Sequence, residues 1–342
     1  MLLKTKHTAC RDAAYVRPNR LTIERMISRR LIRVKAFKEL YSRVSTDSFA
    51  IQPAENELFV SCSKTKELYC QLLMLPYALA KVAEERLNLE NAKFNPDHNE
   101  IIANSALREN GFSALVAADE VFCKYCTDHG ISWAGYDVPL RALHTKVLGS
   151  EYFKTYAAIE EPSLKDAVSL FKNIYTESIE DFSPVCDALE QNCIWWGDDL
   201  GYVLNFLLNN IDSIARKGKV ELPELFIKED DMEFAKKLVG ATLLNYDDYT
   251  ELVAESMPRW DMERVVLSDM LLIVMGIAEA VSCPTIPLKV TINEYVEISK
   301  YYSTPKSSVF VNGLLNGILQ KLSAEGRIKK SGRGLNGSLD AR

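Results

Sequence analysis

A chain of 342 residues with 47% hydrophobic and 26% charged residues can bury a substantial core, and its length favours two folded units. Only 15 glycines and 12 prolines argue against a strand-and-turn architecture, so the long apolar-periodic segments point to an all-α fold. The net charge of −6 hides an asymmetry. Residues 1–43 hold twelve Lys or Arg against three acids, and residues 321–342 hold six against two. A basic start and end around an acidic body implies that any polyanion meets the termini.

Residues 1–25 lack sustained periodicity and read as a disordered basic tail. From Met26 a helix is expected to about residue 43. Ile27, Leu31, Val34 and Tyr41 form one apolar stripe, and Ile32, Ala36 and Leu40 form a second. A helix apolar on two sides belongs inside a bundle. Arg29, Arg30 and Arg33 lie three and four residues apart at its start, so their guanidinium groups converge at one end.

A long helix follows from about 57 to 90, ending before Asn95-Pro96. Shorter patterns come next at about 99–108, 113–128, 139–148, 163–177, 179–190 and 197–215, with loops at Gly130, Gly149, Pro162 and residues 216–223. Cys123 and Cys126 with His129 have ligand-like spacing, but no second pair completes a four-ligand zinc site. Phe122 and Cys126 share a helical face, which fits packing. The eight cysteines show no regular framework and the start lacks a secretory apolar region, so reduced thiols in a cytoplasm are expected. Trp195-Trp196 beside Asp198-Asp199 reads as an aromatic anchor at a helix start.

From residue 229 the helices run densely: 229–245, 246–257, 261–281, 287–301 and 305–322. Asp261 can cap the third, Pro287 fits the first turn of the fourth, and Thr304-Pro305 opens the fifth. The apolar run at 265–281 is short for a membrane span and contains Asp269 and Glu279, so a buried bundle helix is the better reading. The last segment, 326–342, reads as a second disordered basic tail.

No phosphate-binding glycine loop, nucleophile elbow, zinc-protease motif or kinase set is present. Four scattered histidines offer little for acid–base chemistry. No enzymatic activity, metal or cofactor is expected.

The segment RRLIRVKAFKELYS at 29–42 resembles the NusB family of bacterial antitermination factors. The linked pieces continue with Trp260, Glu263 and Arg264, then Asp269, then Ala278-Glu279. Ile286-Pro287, Val290, Ile292-Asn293-Glu294 and Phe310-Val311-Asn312-Gly313 complete the series. The resemblance covers about 26–45 and 229–322. Residues 46–228 are far longer than the short segment that compact members carry there, and are similar to the all-helical expansion of elongated members. The expected organisation is therefore a NusB-type helical bundle interrupted by a large helical insertion: 26–45, then the expansion at 46–228, then 229–325.

The resemblance implies a non-catalytic protein that binds single-stranded boxA-type RNA. It also implies action with the small ribosomal subunit protein that doubles as NusE, in an RNA polymerase elongation complex that transcribes ribosomal RNA operons. Carried over residue by residue, it points to Arg29, Arg30, Arg33, Tyr41, Lys306, Ser307 and Phe310 for RNA, with arginines neutralising phosphate and aromatics stacking. Phe310 falls about 100° off the apolar stripe of Val311, Leu314, Leu315, Ile318 and Leu322. Its ring beside Gly313 and Gly317 either packs under a neighbour or lies open; the resemblance favours stacking. Asp269 matches an acidic position facing the ribosomal partner, with an acid satisfied inside the bundle as the competing reading. Val274 stands where many members have Arg. A second functional reading is a protein-interaction scaffold in which the bundle docks a ribosomal or transcription protein without reading RNA.

Overall fold

The computed structural model describes residues 25–226, 230–258 and 264–335. The basic tail at 1–24, the expected helix start at 229, Trp260, the Asp261 cap, Glu263 and residues 336–342 lie outside them. Helices dominate, as the periodicity requires. The exceptions are two paired three-residue strands, β1 (Arg25–Ile27) and β2 (Glu224–Phe226).

The first helix, α1 (Arg29–Ser45), starts three residues later than expected. Residues 25–27 are extended, and the Ser28 hydroxyl accepts from the Leu31 N–H as a side-chain cap. The expected helix at 57–90 is two helices, α2 (Ile51–Leu73) and α3 (Leu75–Asn91), broken at Met74. Pro76 causes the break because it has no N–H to offer the Leu72 carbonyl. The buried Tyr175 hydroxyl takes that place at 2.8 Å, and the Trp133 indole N–H donates to the Gln71 carbonyl at 2.7 Å. The carbonyl that Pro76 leaves without its helical donor is thereby satisfied.

The chain divides into two compact units, and the boundary falls inside α2. One unit comprises Ser63–Leu225: the end of α2, then α3, α4 (His98–Arg108), α5 (Gly111–Ala118), α6 (Glu120–Asp128), α7 (Asp137–Leu148), α8 (Glu151–Ala157), α9 (Leu164–Asn173), α10 (Ser183–Asn192) and α11 (Ile194–Lys217). The expected helix at 113–128 is split at Asp119, whose side chain caps α6 by accepting from the Phe122 N–H. Ser150 caps α8, a short helix that the periodicity does not reveal. Between α9 and α10 the chain widens into a π-helical turn, Ile174–Ile179, which carries Tyr175. Tyr69, Phe112, Phe122, Phe153, Phe171 and Tyr175 are the largest fully buried side chains of this unit. Cys126 packs inside with Phe122, as the helical spacing predicts. Trp196 is also buried, and its indole donates to the Lys64 carbonyl at 2.9 Å. Asp199 is not at the helix start; it sits inside α11 and accepts from the Thr65 hydroxyl at 2.6 Å.

The other unit comprises Ile27–Cys62 and the described residues from Phe226 onward. It contains α1, the beginning of α2, α12 (Asp231–Leu244), α13 (Tyr246–Glu255), α14 (Leu267–Ser282), α15 (Leu288–Tyr302) and α16 (Ser307–Ala324). Every residue of α14 from Ser268 to Ala280 is buried, so α14 rather than α1 is the central helix of this bundle. It packs against α1, α12, α13, α15 and α16. Among the described residues no helix is long and apolar enough to cross a membrane. The segment after α16 is not a loose tail up to Leu335. Ile328 is buried, and the Lys330 ammonium donates to the Ala280 and Cys283 carbonyls at the end of α14.

One buried titratable group in the first unit makes a measurable prediction. His144 on α7 is 4% exposed, with its Nε2 at 2.8 Å from the Asn104 Oδ1. Burial, reinforced by the nearby Arg86 charge, lowers its pKa to about 4. An unfolded chain takes up this proton near pH 6.5, so the associated stability is present above that pH and lost as pH falls towards 4. The loss amounts to about 3 kcal/mol. Urea unfolding followed between pH 4 and 7 should show it, and His144→Gln should flatten this part of the profile.

Candidate nucleic-acid interface

Hydrogen bonding within the bundle decides which of the expected RNA contacts remain at the surface. Arg29 donates from Nε to Asp231 at 2.7 Å and from Nη2 to Asp230 at 2.8 Å. Arg30 grips Glu294 with two bonds, 2.8 and 2.9 Å. Arg33 grips Glu279 on α14 the same way, at 2.6 and 2.8 Å, and lies 3.6 Å from Glu294. The Arg29 and Arg33 guanidinium groups both lie over the Phe234 ring, at 5.0 and 5.1 Å from its centroid.

The three arginines do converge at one end of α1, but each is tied to an acid of the same bundle rather than free for a polyanion. Arg33 is 3% exposed, and its partner Glu279 is fully buried. Glu279 also accepts from the Thr291 hydroxyl at 2.8 Å and the Tyr295 hydroxyl at 3.0 Å, so four donors surround one carboxylate. Burial pushes the Glu279 pKa up, but the Arg33 charge and these hydrogen bonds outweigh it and hold the carboxyl below its ordinary range. A phosphate contact by Arg33 would have to break this pair, so its role here is structural. Arg29 and Arg30 keep partly exposed side chains, 22% and 15%, although both are ion-paired.

The other expected residues gather elsewhere. α1 and α15 run in the same direction, since Arg30 meets Glu294 while Phe37 meets Tyr302 with ring centroids 5.6 Å apart. Tyr41 lies one turn beyond Phe37 and is 41% exposed. Eleven residues of helix separate it from Arg30, about 16 Å at 1.5 Å per residue. Tyr41 thus belongs with the α15–α16 turn rather than with the arginine cluster.

In that turn Lys306 is exposed, but Ser307 is 1% exposed. The Ser307 hydroxyl donates to Asp269 Oδ2 at 2.7 Å and accepts from the Thr304 N–H at 3.1 Å. Ser307 is therefore a pin between α16 and α14, which corrects its reading as a surface contact. Asp269, 5% exposed, faces the same interior, and its Oδ1 has no hydrogen-bond partner among the described residues. The competing reading, an acid inside the bundle, describes its position.

Phe310 is half-buried. No described atom comes within 4 Å of where a Cβ would stand at Gly313 or Gly317, so among the described residues no helix covers that side of α16. Val309, absent from the expected set, is 77% exposed beside them. Its signal was available in the sequence, as a valine on the glycine side of an otherwise amphipathic helix.

A cleft of about 700 Å³ opens at the arginine end, lined by Arg29, Arg33, Asp230, Ile286, Pro287, Val290 and Arg333 among others. Among the described residues no group of three or more His, Cys, Asp or Glu is placed to hold a metal ion. Cys123 turns its thiol to the Val116 and Ala117 carbonyls instead.

The Arg33–Glu279 pair can be tested directly. Removing one partner leaves a buried charge without compensation, which costs about 3–5 kcal/mol. Glu279→Gln should lower the unfolding midpoint accordingly, and Arg33→Met combined with Glu279→Leu should recover much of the loss in denaturant titrations.

The profile described as NusB family matches residues 205–320. A transcription antitermination protein NusB from Salinibacter ruber is 37% identical over 105 residues, covering 31% of this chain and 66% of the relative. The protein of the same name from Chloroherpeton thalassium is 34% identical over 134 residues, covering 39% and 63%. That from Finegoldia magna is 33% identical over 95 residues, covering 28% and 69%. The chain thus spans just under two thirds of the length of the first two relatives. No solved structure matches it. On the identity and coverage of these matches, the chain belongs to the NusB family.

Proposed function

We propose that this protein is a non-catalytic, RNA-binding transcription antitermination factor. It acts in the cytoplasm, on boxA-type single-stranded RNA, with the ribosomal protein that serves as NusE and the elongating RNA polymerase. The observation that carries this reading is the match to relatives named transcription antitermination protein NusB, together with the family profile at 205–320, which lies largely on the bundle built around α14.

The residues best placed for RNA are those that the bundle leaves at its surface. Lys306 supplies charge at the start of α16, and Phe310 offers part of a ring beside two uncovered glycines. Tyr41 adds a second aromatic near the same turn. Arg29 and Arg30 contribute through their exposed edges, while Arg33 and Ser307 act by holding α1 and α16 in place. Asp269 supports a partner-facing surface indirectly, through Ser307.

One observation favours the scaffold reading. The three arginines at the start of α1 are neutralised by acids of the same bundle, which reduces the charge available for phosphate. Titration of boxA-type RNA with and without the ribosomal protein separates the two. An antitermination factor shows RNA binding enhanced by the partner. In that case Lys306→Ala and Phe310→Ala each weaken binding several-fold, and Lys306→Ala makes the dependence of log K on log salt shallower by about 0.7. Partner binding with no effect on RNA affinity would instead establish the scaffold.

A further inference from the structure

The described part of the C-terminal segment, Arg327–Leu335, holds four basic residues, Arg327, Lys329, Lys330 and Arg333, and no acid. It is docked by backbone. The Ser331 N–H donates to the Pro284 carbonyl at 3.0 Å, and Lys330 ties to the Ala280 and Cys283 carbonyls at 2.8 and 3.1 Å. These carbonyls lie at or just beyond the end of α14, where an ammonium group meets the negative end of the helix dipole.

Two glycines make the docking possible. Gly332 has φ +54°, in the left-handed region, and opens a short 3-10 turn, Gly332–Leu335. Gly334 is buried so closely against the Pro284 carbonyl that a Cβ there would overlap it. Between these glycines stands Arg333, exposed, lining the same cleft as Arg29 and Arg33. The other two cations are committed: Arg29 to Asp230 and Asp231, Arg33 to Glu279. Arg333 has no ion-pair partner among the described residues. A precisely docked loop thus carries an uncommitted guanidinium to the rim of a cleft with an apolar wall of Ile286, Pro287 and Val290.

We infer that the C-terminal segment completes an RNA-binding cleft, with Arg333 contacting a backbone phosphate and the apolar wall taking the adjoining sugar and base. This rests on the proposed RNA-binding function and extends it to a segment outside the profile match, which ends at residue 320. Guanidinium suits phosphate because its fork can donate two parallel hydrogen bonds. The cleft volume lies within the range that holds a small ligand or a short stretch of one.

The test uses the full chain, with and without the ribosomal protein, and a single-stranded RNA oligonucleotide titrated across a salt series. Arg333→Gln, at an exposed position, should weaken binding about fivefold and make the salt slope shallower by about 0.7. Arg333→Lys should retain the slope. Gly334→Ala should undock the segment and reproduce the loss of affinity with Arg333 still present. Wild-type affinity and slope in Arg333→Gln, in a protein where Lys306→Ala does weaken RNA binding, would overturn the inference and leave the functional reading standing. Absence of RNA binding by the wild-type chain under both conditions would overturn both. A glutamate-rich peptide that binds wild type but not Arg333→Gln, with RNA affinity unchanged, would assign the cleft to a protein ligand and also overturn it.

Discussion

The bundle depends on one buried ion pair. Arg33 and Glu279 are 246 residues apart in sequence, with the whole of the unit Ser63–Leu225 between them along the chain. Transfer of either charge out of water costs several kcal/mol, so the pair persists because the carboxylate accepts four hydrogen bonds and Arg33 is held by two of these, with Glu294 and the Phe234 ring beside it. Arg33 gives two parallel bonds to the carboxylate, while Thr291 and Tyr295 donate the remainder from α15. Three helices are thus locked at one point. Hydrophobic burial alone would hold α1 against α14 but would tolerate rotation, since α1 buries a continuous run from Leu31 to Phe37. A bidentate fork has a single good geometry, which fixes rotation and register together.

That constraint reorganises the surface. Charges that would otherwise face a polyanion are consumed by the frame, Arg33 completely and Arg29 and Arg30 in large part. The same happens at the start of α16, where Ser307 is committed to Asp269. What remains for a ligand is the set that the frame does not need: Lys306, Tyr41, the uncovered side of α16 and the basic segment after Ile328. The arginines that frame the bundle, at 29, 30 and 33, and the basic residues left for ligand, at 306 and beyond 328, are therefore different groups.

Much of the fold was legible because helices announce themselves locally. The break at Asn95-Pro96, the proline at 287 and the apolar run at 265–281 each mark an element through near neighbours, whereas the periodicity does not reveal the Asp119 cap that divides 113–128. The remaining failures were of another kind. Whether Arg33 is at the surface depends on a carboxylate 246 residues away, and whether residues 326–335 are ordered depends on carbonyls at the end of α14. Neither is a local property. A trace of the first was still present: Arg33 stands between Ile32 and Val34, and Glu279 stands in the most apolar segment of the chain. Isolated opposite charges in two buried stripes are each too costly to bury alone, so they require one another. The candidate site was legible only as a list of residue types. Its division into two groups, one at each end of α1, needed the parallel course of α1 and α15.

The unit Ser63–Leu225 meets a similar demand for buried hydrogen-bond partners by different means. Its boundary lies within α2, and three carbonyls of the α2 portion that belongs to this unit are claimed by aromatic donors: Lys64 by Trp196, Gln71 by Trp133 and Leu72 by Tyr175. The last two lie in the turn that Pro76 prevents from continuing. A buried carbonyl without a partner costs about 1–3 kcal/mol, so breaking the helix there is tolerable only if donors arrive from elsewhere in the fold. Tyr175 arrives because the chain widens into a π-turn after α9, a rare geometry that shifts the following side chains relative to a regular helix. The π-turn and the break at Met74 are then a matched pair of irregularities, each explaining why the other persists. By this reasoning Trp133, Trp196 and Tyr175 need no ligand to account for them: their polar atoms complete α2, and their rings are buried in the core of this unit.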